Sequence, residues 1–206
     1  MADPISVVVL LSGGGTTLEN LCQAIDRGEL PARITRVVSS REDAFGLERA
    51  RRRGIPAAVV PSRAFRSPVP GAATDWKAFS EALNPEVDTG RPDLVCLAGF
   101  MCLWNLPGRY RGRAMNIHPS LLPAFGGQGM YGHRVHEAVL AAGASVSGCT
   151  VHWVDGRYDT GAVILQRSCP VLPGDTVDTL AARVAAEECL AYPEAVRRFA
   201  AAGRTP

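Results

Sequence analysis

The chain has 206 residues, 47% of them hydrophobic, and a formal net charge of +2. That length carries one large α/β domain or two closely joined halves, and the near-neutral charge gives no electrostatic reason to expect nucleic acid or an anionic membrane as a partner. Lys77 is the only lysine, which removes a G-x-x-x-x-G-K phosphate loop and leaves Schiff-base chemistry a single candidate, in a polar helical stretch.

In chain order, "ISVVVLLS" (5–12) is a continuous apolar run ending in three glycines, the pattern of a buried parallel strand. In "TTLENLCQAIDRG", Leu18, Leu21, Cys22 and Ile25 fall at helical spacing and Gly28 serves as a stop. A second strand is predicted over 34–40, a helix over 44–54 and a third strand over 55–60. Residues 61–75, rich in Pro, Gly and Ser, read as a mobile loop. A helix over 75–83 and a fully apolar strand over 92–100 follow, then a short strand over 114–117. The glycine-rich "FGGQGMYG" (125–132) precedes the helix "HRVHEAVLAAG". Segments 145–154 and 161–168 are expected to pair as an antiparallel extension, and the tail from 175 onward is helical, with Asp175 or Thr176 as N-cap. This alternation predicts an α/β fold: a doubly wound, mostly parallel, Rossmann-like sheet with helices on both faces and an antiparallel C-terminal extension. It is read as one domain over 1–206, with a phosphate-binding half (1–100) and a catalytic half (101–206).

Six cysteines are scattered without a C-x-x-C pair, which fits buried small hydrophobes in a reducing compartment better than a disulfide framework. The N-terminus lacks the positive region of a secretory signal, and no apolar run approaches the roughly 18–20 residues of a membrane span. A cytoplasmic protein is expected.

Three features point to chemistry. The turn "SGGGTTL" joins a strand to a helix, so its N–H groups sit at the positive helix end and suit a phosphate. Leu18 occupies the third glycine position of G-x-G-x-x-G, and "SSRED" after the second strand offers no clean acid for a ribose diol, so a phosphate monoester fits better than a dinucleotide. The alternative is a tight turn with no ligand. In "NIHPSLLPAF", Asn116 and His118 lie two apart on one strand and share a face, at the strand end where open α/β sheets bind ligands. Pro119 biases His118 away from helix. An imidazole moves protons near neutral pH and an amide donates to a developing oxyanion; a structural histidine beside an asparagine turn is the alternative. Third, "HWVDGRYDTG" offers His152, Asp155 and Asp159, and a carboxylate beside His118 would favour its protonated form and orient it; a turn-forming aspartate is the bland reading of Asp159. Zinc is a rival use for His118, His133, His136 and His152, but no H-x-x-E-x-x-H motif or cysteine pair supports it. For His133 and His136 a solvated helix surface is expected.

With these elements in order, the sequence resembles the phosphoribosylglycinamide formyltransferase family. The matching pieces are "VVVLLSGGGTTL", "SSREDAFGLERARRRGIP", "PDLVCLAGFM", "MNIHPSLLPAF", "VSGCTVHWVDGRYDTGAVILQ" and "TLAARVAAEECLAYPEAVR". The resemblance implies formyl transfer from 10-formyltetrahydrofolate to the amine of glycinamide ribonucleotide in purine synthesis, without a metal, by a monomer or homodimer. It implies that Asn116, His118 and Asp159 are the catalytic set: Asn116 and His118 on the tetrahedral oxyanion, Asp159 raising the His118 pKa. It places the substrate phosphate on Gly15, Thr16 and Thr17 and the ribose on Glu188. The pterin would enter a cleft made by Met101, Cys102, Leu103, Trp104 and the loop Asp155, Gly156, Arg157, Tyr158, Asp159. The chain departs from the family pattern at Cys102, where Arg is common, near Pro68, where Arg63 and Arg66 stand instead of a clear match, and in "GGQGMYGHRVH". These departures fall on the cofactor side and lid. A formyltetrahydrofolate hydrolase or another formyltransferase shares the same catalytic three; the phosphate turn and the modest length favour the ribonucleotide enzyme.

Overall fold

A computed structural model describes residues 3–69 and 73–203. Its strands and helices are β1 (Ile5–Leu11), α1 (Thr16–Asp26), β2 (Ala32–Ser39), α2 (Phe45–Arg52), β3 (Ala57–Val59), α3 (Trp76–Thr89), β4 (Leu94–Leu97), β5 (Ala114–His118), α4 (His133–Ala141), β6 (Val146–Trp153), β7 (Val163–Pro170) and α5 (Val177–Ala201). They build one seven-stranded sheet in the order β3-β2-β1-β4-β5-β6-β7. β1 to β5 run parallel, and β6 and β7 add the antiparallel extension expected from the sequence.

β1 shows why the sheet is covered on both faces. Its seven residues are all buried, and they alternate between two cores. Ile5, Val7, Val9 and Leu11 pack with Leu18 and Leu21 of α1 and with Leu180, Val184 and Val196 of α5. Val8 and Leu10 pack with Phe79, Leu83 and Val87 of α3 and with Trp104 and Tyr110. A central strand buried on both sides needs an unbroken aliphatic run, and this requirement made β1 legible.

Two stretches differ from the sequence reading, while the start of α5 agrees with it. α3 continues through Pro85 to Thr89 rather than stopping at residue 83. Proline there forfeits a backbone bond, but burying Leu83 and Val87 on either side of it outweighs that loss. Residues 62–65 of the supposed mobile loop form a short 3-10 turn, while residues 70–72 lie outside the described residues. α5 begins with Thr176 as N-cap, and the Thr176 and Thr179 side chains cap each other's backbone N–H groups. Five cysteines are buried and Cys189 is exposed; all six are free thiols.

Candidate active site

The order reversal between β1 and β4 opens a crevice above the carboxyl ends of the central strands, the usual ligand position in such sheets. A cavity of about 680 Å³ lies there, within the size range of small-molecule sites. Its walls include Thr16 and Thr17 from α1, Met101 to Trp104 after β4, Asn116 and His118 from β5, Gly156 to Asp159 between β6 and β7, and Glu188 from α5. Nearly every residue singled out from the sequence therefore meets in one place. Gly15 and Asp155 do not line it. Gly15 instead caps α1 in a left-handed conformation. Asp155 is turned onto its own loop, accepting from the Thr160 hydroxyl at 2.8 Å and the Arg157 N–H at 3.1 Å; it braces the loop rather than facing the cavity.

Asp159 is the hub. Its Oδ2 accepts from the Gly127 N–H at 2.9 Å and lies 3.4 Å from His118 Nδ1. Its Oδ1 lies 3.4 Å from Asn116 Nδ2 and 3.5 Å from His152 Nε2. The side chains of His118 and His152 are almost wholly buried and that of Asp159 is 10% exposed, so these charges are poorly screened by water. The distances to the imidazoles exceed a tight hydrogen bond.

The carbonyl partners assign the imidazole tautomers. Phe125 O lies 2.8 Å from His118 Nε2; a carbonyl only accepts, so Nε2 carries the hydrogen and a second proton on Nδ1 would point at Asp159. Likewise Trp153 O lies 2.9 Å from His152 Nδ1, which leaves Nε2 free to accept from Asn116 Nδ2 at 3.2 Å. The network fixes the Asn116 amide with its NH₂ toward Asp159.

Burial pushes the His118 imidazole below its ordinary pKa, while Asp159 and the Phe125 carbonyl pull it back up. Asp159 acts in the expected direction, but it offsets desolvation only in part, so the net direction is down. Burial pushes the Asp159 carboxyl up, but His152 and His118, when protonated toward it, and the Gly127 N–H together hold it below the usual carboxylate range. Glu188 makes no hydrogen bond or ion pair among the described residues, and burial pushes its carboxyl up to about 7.

Local folding explains this convergence. β5 pairs with β6 in antiparallel register, so His152 stands directly opposite Asn116 and Thr150 opposite His118. The Thr150 hydroxyl donates to Ser120 O at 2.6 Å and accepts from the Leu122 N–H at 3.0 Å, which fixes the chain leading to Phe125. Phe125 and Asp159 both have positive φ, at 56° and 54°. Such backbone is costly for residues other than glycine and clusters at functional sites. Gly161 is required by a close approach: a Cβ there would meet Trp153 O at 1.7 Å.

His152 was visible as a candidate but not as a member of the set, because strand register is invisible in one sequence. The Phe125 carbonyl and Gly127 N–H were missed altogether, since no residue type encodes a backbone group. His136 corrects an expectation: it is 5% exposed, with Nδ1 unpartnered among the described residues, because α4 turns that face toward the cavity. His133 remains exposed. Trp104 is fully buried, its indole N–H held by Asn84 Oδ1 at 2.9 Å. A second cavity of about 650 Å³ shares Met101 and Cys102 with the first and is lined by Arg41, Arg63 and Arg66. Among the described residues no group of three or more His, Cys, Asp or Glu side chains is placed to hold a metal ion, and no helix is long and apolar enough to cross a membrane.

Comparison with known proteins identifies the family of the chain. Residues 5–196 match the formyl transferase family. The chain is 37% identical to phosphoribosylglycinamide formyltransferase of Escherichia coli (strain K12), over 95% of this chain and 87% of that protein. It is 40% identical to the trifunctional purine biosynthetic protein adenosine-3 of Drosophila pseudoobscura pseudoobscura over 94% of this chain, but spans only 14% of that protein's length. The crystal structure of glycinamide ribonucleotide transformylase 1 from Symbiobacterium toebii superposes with a TM-score of 0.85 at 42% identity, covering 98% of this chain and 90% of that one. With a family match over most of its length and relatives at 37% and 42% identity over most of both chains, the chain belongs to the phosphoribosylglycinamide formyltransferase family, within the formyl transferases.

Proposed function

We propose that this protein transfers the formyl group of 10-formyltetrahydrofolate to the amine of glycinamide ribonucleotide. The observation that carries the reading is Asp159 touching both Asn116 and His118 on the wall of the cavity that also holds Thr16, Thr17 and Glu188. The residues fit both substrates. The N-terminal turn of α1 offers N–H groups to a phosphate, Glu188 is an acceptor for a ribose hydroxyl, and Met101 and Leu103 give an apolar wall for a pterin.

In the reaction a C–N bond forms between the substrate amine and the formyl carbon, and the bond from that carbon to the folate nitrogen breaks. The amine loses a proton and the folate nitrogen gains one. Asn116 donates an N–H to the developing oxyanion; its contact to Asp159 at 3.4 Å is weak enough to be exchanged for that stronger acceptor. His118, once protonated at Nδ1, adds a positive charge beside the same oxygen, and Asp159 stabilises that charge from 3.4 Å. Asp159 is also placed to take the amine proton through a water and return it to the leaving nitrogen. Burial makes each of these terms larger than it would be in water.

The test is incubation with 10-formyltetrahydrofolate, with and without glycinamide ribonucleotide, following loss of the folate formyl group spectroscopically. Release that requires the ribonucleotide, with formylated product, supports transfer. Release at the same rate without it identifies a hydrolase.

A further inference from the structure

The glycine turn after β1 does not stand alone; α2 holds it. The Gly46 N–H donates to Gly13 O at 3.0 Å, and Arg49 Nε donates to Gly14 O at 2.9 Å. The C=O and N–H of a planar trans peptide point in opposite directions. With both carbonyls turned onto α2, the Gly14 and Gly15 N–H groups must both point away from it. Two successive N–H groups aimed the same way beside a left-handed residue form an anion-binding concavity, and Gly15 has φ 71°. The N–H groups of residues 13–17 meet no backbone acceptor among the described residues.

Arg49 is itself held in place. Its guanidinium lies 3.6 Å from Glu19 and 5.3 Å from the Phe45 ring centroid. Its reach to Gly14 O is possible only because Gly15 and Gly46 pack backbone to backbone; a Cβ on Gly15 would sit 2.6 Å from the Gly46 Cα.

We propose that Arg49 is a positioning residue for the phosphate site: by binding the Gly14 carbonyl it orients the Gly15 N–H toward the substrate phosphate. The proposal rests on the assignment of the ribonucleotide phosphate to this turn. Its test compares glycinamide ribonucleotide with the dephosphorylated riboside as acceptors. In Arg49→Met, KM for the ribonucleotide is expected to rise about tenfold, the scale of one hydrogen bond from a charged donor, with kcat within about threefold. KM values for the riboside and for the folate should stay within about twofold, so the preference for the nucleotide shrinks. Arg49→Lys, which keeps a donor and its charge near Gly14 O, should recover most of that preference. A general structural role would weaken all three substrates together and overturns the proposal, as does an Arg49→Met enzyme that keeps the wild-type preference. Should Arg49→Met fail to fold, Arg49→Gln takes its place: a selective fall in the preference for the nucleotide supports the proposal, and an unchanged preference overturns it. A wild-type enzyme that does not distinguish nucleotide from riboside removes the phosphate assignment itself, a different failure.

Discussion

The two ends of the cavity are built from different materials. At the α1 end the groups proposed to bind substrate are backbone N–H donors, and side chains would matter there by their smallness or by holding the turn. At the β5 end they are the side chains of Asn116, His118 and Asp159, drawn from a strand and a loop and tied together at 3.4 Å. The contrast teaches that a backbone site resists loss of a functional group but not the gain of a methyl, whereas a side-chain site fails when one group is removed.

The sharpest way to break the comparison is His118→Ala. Removing the imidazole would take away the charge proposed to sit beside the oxyanion while leaving the backbone of β5 intact. Turnover should fall by at least about a hundredfold, the scale of a lost acid/base or oxyanion partner, with substrate KM values changed little. Steady-state kinetics at saturating substrate checks this; near-wild-type turnover would reject the role.

Asp159→Asn separates charge from shape. The amide can still accept from the Gly127 N–H, so the loop should hold, but the negative charge beside His118 is gone. Turnover is expected to fall by about tenfold or more. The His118 titration, followed by NMR, should move to lower pH, because Asp159 is the main influence opposing burial at this imidazole. An unmoved or raised midpoint would contradict the hub assignment.

At the other end, Gly15→Ala adds what the backbone site cannot take. The residue would keep φ 71° and place its Cβ 2.6 Å from the Gly46 Cα. A loss of about 2 kcal/mol is expected from the left-handed conformation and the contact, seen as a Tm lower by about 4–8 °C. Ribonucleotide binding should weaken more than folate binding. Equal loss of both would show that the two ends are not the separate modules described.

Legibility followed the same division. β1, the glycine turn and the N-x-H motif were readable because each is a local pattern: a strand buried on both faces, a helix entry, two side chains on one face. The antiparallel extension was readable from its alternation. What escaped depends on contacts between distant elements. His152 joins the cluster through the β5–β6 register, and His136 is buried by the way α4 faces the cavity. Asp155 looked like a site residue by composition, yet Thr160 and the Arg157 N–H satisfy it locally. Residue type alone does not say which carboxylate of a loop turns inward.

The smallest expected effect joins the two ends. Glu188 lines the same cavity as Thr16, Thr17 and His118. Its carboxyl is pushed up to about 7 by burial alone, against an ordinary value of 4.5. A folded-state pKa above the unfolded one means that folding takes up a proton between those values. The protein should be most favoured, as far as this group is concerned, below pH 4.5, and should lose that advantage as pH rises through about 7. Partial solvent access reduces the effect to about 1–2 kcal/mol. Glu188→Gln, neutral at every pH, should remove this slope: its stability relative to wild type should grow between pH 5 and pH 8 in denaturant titrations. A constant difference across that range would mean that Glu188 is already ionised and solvated in the folded protein, and that the cavity between the two ends is wetter than its lining suggests.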